Sequence, residues 1–105
     1  MRIPKSIKVS SHRVKIRRLK KIKEVMFENC MGYADLNNNE IVLRTETDGK
    51  PLQESLQAET FLHEVLHIIS NLYGIPLPEG KVNSLAGALL QVIRTNKIDF
   101  LDTSS

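Results

Sequence analysis

The sequence predicts an α+β fold, a small antiparallel sheet of N-terminal hairpins followed by two packed helices. Apolar residues alternate with period two in the first third of the chain and recur with helical spacing from about Leu52 onward. Clusters of turn-forming residues fall where one pattern gives way to the next. The 105 residues suffice for one domain with one modest core. Strands are expected over 1–50, a first helix over 52–73, a second over 79–95 and a polar tail over 96–105.

The first hairpin pairs Ile7-Lys8-Val9 with the alternating run Arg13-Val14-Lys15-Ile16-Arg17 across Ser10-Ser11-His12. Its outer side is almost wholly Lys and Arg, as suits an exposed strand face. Residues 18–29 fit a short helix or an irregular connection. The second hairpin, Met31–Asp35 with Glu40–Arg44, turns through Leu36-Asn37-Asn38-Asn39, because Asn tolerates left-handed backbone better than most residues. Thr45 to Pro51, with Asp48-Gly49, reads as a polar surface loop. The first helix then ends at Tyr73-Gly74-Ile75-Pro76, with Gly in a capping position. Pro78 suits the first turn of the second helix, where no N–H donor is required.

Composition narrows the classes of function. The apolar share of 41% is ordinary for a globular protein, and no apolar run approaches the roughly 20 residues that cross a bilayer. No membrane association is expected. The N-terminus lacks the apolar core of a signal peptide and Cys30 has no partner for an intrachain disulfide, so a cytoplasmic setting is expected. Cys30 itself reads as a small buried hydrophobe. The net charge of +3 conceals an asymmetry: residues 1–23 carry ten Lys or Arg and no acid, whereas 24–105 carry five basic and twelve acidic residues. The basic stretch 2–23 could meet nucleic acid or an acidic protein, but a solvated strand face explains it as well.

The chemistry lies in Phe61-Leu62-His63-Glu64-Val65-Leu66-His67-Ile68-Ile69, an HExxH motif inside an apolar helical run. Histidines four apart lie one above the other on a helix, with Cβ atoms about 5–6 Å apart, so both imidazoles can converge on one ion. Glu64, about 100° further round, can instead reach a water held by that ion. His63 and His67 are therefore candidate zinc ligands and Glu64 a candidate catalytic base. With the apolar stripe centred on Leu62, Val65, Leu66, Ile69 and Tyr73 fall within about 60° of it and the histidines on its flank.

A catalytic zinc takes three protein ligands and leaves one position for water. The second helix, with its stripe Val82, Leu85, Ala86, Leu89 and Ile93, is the natural donor of the third. Glu79 and Asn83 are four apart on the flank of that stripe, and either could face the histidines. Glu79 is slightly favoured, and His12 reads as a surface residue. The stretch from Gly32 to about Asn96 resembles the small gluzincin metallopeptidases of the ImmA/IrrE type and their short prophage-encoded relatives. The resemblance implies a zincin-like fold, a phage or bacterial source, a zinc cofactor and a ligand Glu in an ExxA-like context on the second helix. Here that context reads Asn83-Ser84-Leu85-Ala86, with Asn at the ligand position.

The function this points to is a zinc-dependent peptide hydrolase acting on a specific partner protein, with Glu64 activating the metal-bound water. The strand 40–44 is a candidate to hold an extended peptide. The alternative is a catalytically weak or inactive zincin-fold module that binds or regulates a partner. A purely structural metal ranks last, since closed sites usually show four protein ligands.

Overall fold

The computed structural model describes residues 3–23 and 30–96. Strands β1 (Ser6–Val9) and β2 (His12–Leu19) form the first hairpin, and β3 (Gly32–Asp35) and β4 (Glu40–Arg44) the second. The hairpins join through β2 and β4, which run parallel with Ile16 opposite Ile41. The four-stranded sheet is thus mixed, in the order β1-β2-β4-β3, and not wholly antiparallel as expected. Hairpin periodicity fixes pairing within each ribbon but not which strands of two ribbons meet. Here β3 begins at the end of the sheet where β2 stops, leaving one strand position between them that β4 fills. Strand 40–44 is consequently central, and β3 and β1 are the edge strands.

Two further short strands, β5 (Glu46–Thr47) and β6 (Lys50–Pro51), pair where a plain loop was expected. Asp48 and Gly49 between them have φ of 53° and 75°, the left-handed pair that a tight two-residue hairpin needs. Of the segment 18–29, Arg18 and Leu19 belong to β2 and Ile22 is buried, while 24–29 lie outside the described residues. The tail beyond Asn96 and Arg2 of the basic stretch also lie outside them.

Helix α1 (Glu54–Tyr73) covers one face of the sheet, and α2 (Glu79–Asn96) packs on α1. Central β4 is buried on both faces. Ile41 and Leu43 meet Val14, Ile16, Phe61 and Ile68, whereas Val42 points the other way, against Tyr33 and Ile22. Gly32 lets α1 approach the β3 edge closely: a Cβ there would stand 2.8 Å from the Val42 carbonyl oxygen and 2.9 Å from Thr60 Cγ2. Gly74, at φ 65°, closes α1 by donating its N–H to the Ser70 carbonyl. The Pro78 carbonyl accepts the N–H groups of Lys81 and Val82, so Pro78 precedes the first turn of α2 and does not lie within it.

Both helical stripes differ from the expected ones. On α1 the buried residues are Gln57, Ala58, Phe61, Glu64 and Ile68, with Val65, Ile69 and Leu72 packed on the same core. That face centres near Phe61, one residue before Leu62, and Tyr73 is 56% exposed. Because α1 is covered by the sheet on one side and by α2 on another, its apolar residues spread too widely to locate the sheet-facing centre. On α2 only Val82, Ala86 and Leu90 are buried, while Leu85 and Leu89 are each 40% exposed. A helix covered by a single neighbour buries a narrow seam rather than a broad stripe. Among the described residues no helix is long and apolar enough to cross a membrane.

Candidate metal centre

His63 and His67 occupy successive turns of α1 and turn their rings toward one point. Their Nε2 atoms are 3.1 Å apart and their ring centroids 4.8 Å. Glu79, the first residue of α2, brings its carboxylate to the same point, with Oε1 2.6 Å from His63 Nε2 and Oε2 3.1 Å from His67 Nε2. The Gly74 cap ends α1 and the short connection through Pro76 and Pro78 returns the chain so that the first turn of α2 meets the middle of α1. Asn83, one turn further along α2, lines the neighbouring cleft, and the carboxylate that meets both imidazoles belongs to Glu79. His12 is exposed at the start of β2.

The donor set suits zinc. Two nitrogens each about 2.0–2.1 Å from a tetrahedral zinc stand roughly 3.3–3.4 Å apart, close to the separation of the two Nε2 atoms. Two imidazoles and a carboxylate form a three-ligand set that leaves a position for water. The donor atoms of His63, His67 and Glu79 lie within 4.8 Å of one another. The histidines are half-buried and Glu79 is exposed, so the point of convergence opens to solvent on the α2 side.

Glu64 follows a different logic. It is 7% exposed, on the side of α1 shared with Phe61 and Ile68, and not turned outward as a stripe centred on Leu62 implies. Among the described residues no donor hydrogen-bonds its carboxylate. Burial pushes the Glu64 carboxyl up to about 7; the neighbouring His63 opposes that rise and the Glu79 carboxylate adds to it.

His63, Glu64 and Glu79 sit where two lobes of one cleft meet. One lobe, about 510 Å³, extends toward the N-terminal half of α1 past Glu59, Thr60 and Leu56. The other, about 460 Å³, extends toward its C-terminal half past His67, Ser70 and Asn71. Gly32 and Cys30 border both lobes, and Tyr33 and Ala34 of β3 border the second. Cys30 is therefore half-buried in the cleft wall and not a core hydrophobe. The bordering strand is the edge strand β3, which corrects the expectation that strand 40–44 lies open to a peptide. Glu59 is the cleft residue that the sequence reading misses. It lies one turn before His63, in the row Glu59-His63-His67, and that spacing was its available signal.

Compared with protein-family models, curated proteins and solved structures, the chain matches none.

Proposed function

We propose that the chain is a small zincin-type metallopeptidase, in which His63, His67 and Glu79 hold zinc and Glu64 is the catalytic base. The observation that carries this reading is the convergence of three donor side chains from two helices beside a buried carboxylate that no donor meets among the described residues. A zinc ion held by His63, His67 and Glu79 would supply Lewis acidity and would lower the pKa of water. Glu64 would serve as the base that takes a proton from the attacking water and returns it to the leaving amine. Its low exposure keeps bulk water from competing for that proton. Edge strand β3 offers main-chain hydrogen-bonding groups along the cleft to an extended peptide. The substrate is a peptide or an extended segment of a partner protein, and a cytoplasmic setting is part of the proposal.

An inactive binding module remains the second reading, favoured by the exposed cations Lys8, Arg13 and Lys15 on the β1–β2 ribbon. Hydrolysis of an unstructured protein, assayed with added zinc for wild type and Glu64→Gln, separates the two. The peptidase reading expects cleavage that the variant loses; equal rates in both proteins would contradict it.

A further inference from the structure

We propose that the lobe beside Glu59 receives a lysine or arginine side chain of the substrate, with Glu59 as the carboxylate that selects it. The proposal rests on the peptidase reading above and names its substrate class: peptides with a basic residue close to the scissile bond on one side. Glu59 stands one helical turn from His63, about 6 Å along the axis, so a residue neighbouring the bond at the metal point is within reach. The stem of a lysine or arginine spans a comparable distance and lies readily along apolar surface. Leu56, Met31 and Ala86 provide such surface in this lobe.

Glu59 is set into the wall and not simply placed on the surface. A Cβ at Gly87 would stand 2.8 Å from Glu59 Oε1, so α2 carries no side chain where the carboxylate lies against it. Among the described residues neither a hydrogen bond nor an ion pair meets this half-buried carboxylate. Removing a charged group from water without a partner is unfavourable, and a substrate cation offsets that cost. Among the described residues no lysine or arginine borders the lobe, and its other acids there, Glu64 and Glu79, are assigned to the base and the metal. Among the described residues the second lobe has no carboxylate beyond those two shared ones, which confines the preference to one side of the scissile bond.

The test uses peptides identical except for lysine or norleucine at one position, moved stepwise across the cleaved bond. Their cleavage by the zinc-loaded wild type is measured, and in parallel their binding to zinc-loaded Glu64→Gln by calorimetry. At one position the lysine peptide should be favoured on the order of tenfold, the scale of a hydrogen bond between charged groups. That ratio should fall toward one in Glu59→Gln, and also in Gly87→Ala, where the added methyl displaces the carboxylate. Cleavage without a lysine preference, or a preference that survives Glu59→Gln, overturns the lobe assignment and leaves the peptidase reading standing. Lysine-selective binding that depends on Glu59 but brings no cleavage does the reverse. Absence of both binding and cleavage counts against both.

Discussion

Gln57 and Glu64 lie two turns apart on α1 and are almost equally buried, at 9% and 7% exposure, yet their surroundings differ in kind. Gln57 faces β2 and is satisfied: Arg18 Nη2 donates to its Oε1 at 2.6 Å, and its Nε2 donates to the Leu52 carbonyl at 2.9 Å. Glu64 faces the cleft beside α2 and receives no hydrogen bond among the described residues. The first arrangement ties the start of the helix to the sheet. The second holds a carboxylate in a state that costs stability. Equal burial thus hides opposite situations, and the presence or absence of partners is what tells the two residues apart.

Glu64→Gln breaks the comparison most deeply. If Glu64 is the base, hydrolysis should fall by about 10²–10⁴-fold, measured as kcat on a cleaved peptide. The same change should stabilise the metal-free protein at pH 8. The Glu64 carboxyl titrates near 7 in the fold against an ordinary value of 4.5. Below 4.5 both folded and unfolded chains hold the proton, and nothing is lost. Between 4.5 and 7 the unfolded chain releases its proton while the fold retains it, so stability falls as pH rises and levels off above 7. The loss at pH 8 reaches at most about 3 kcal/mol, and the Gln variant escapes it. Urea unfolding of both proteins at pH 4.5 and 8 checks this; an equal difference at both values would contradict it.

Gln57→Ala sharpens the same contrast. It strips partners from Arg18 and the Leu52 carbonyl and should cost about 1–3 kcal/mol. That cost should be the same at pH 5 and 8, and zinc content should not change. A pH-dependent loss would erase the distinction drawn between the two sites. Gly32→Ala should cost a similar 1–3 kcal/mol, roughly the penalty of overpacking, because Val42 and Thr60 leave no space for a methyl group. A neutral result in thermal unfolding would mean that α1 can lift from β3 freely. Gly49→Ala has the smallest expected effect, about 1 kcal/mol from placing a side chain at φ 75°, with the cleft unaffected.

The elements themselves were legible in the sequence. Alternation at 13–17, the apolar run 41–43, the Asn cluster at 37–39 and Gly74 each gave a local signal that the fold obeys. Asp48-Gly49 carried a hairpin signal as well, but the strands it joins have two residues each, too short for alternation to register. The parallel β2–β4 pairing left no local trace, since it depends on where the chain goes after Leu19. The rotation of α1 was hidden for a related reason. Hydropathy counts Glu64 as an outward residue, and nothing in its own identity reports that two layers cover it.

The candidate site was legible as far as spacing reaches. HExxH set the two imidazoles on one flank of α1 from four-residue periodicity alone. The third donor was left between Glu79 and Asn83 because both share one flank of α2. The connection through Pro76 and Pro78 decides which turn of α2 arrives beside the histidines, and it is the first.

The most direct test is zinc content by elemental analysis of protein purified without a His-tag or chelator, for wild type, His63→Ala, Glu79→Ala and Asn83→Ala. The metal-centre reading predicts close to one zinc per chain in wild type and in Asn83→Ala, with loss in His63→Ala and Glu79→Ala. A folded wild-type protein that neither contains zinc nor takes it up on addition would contradict it.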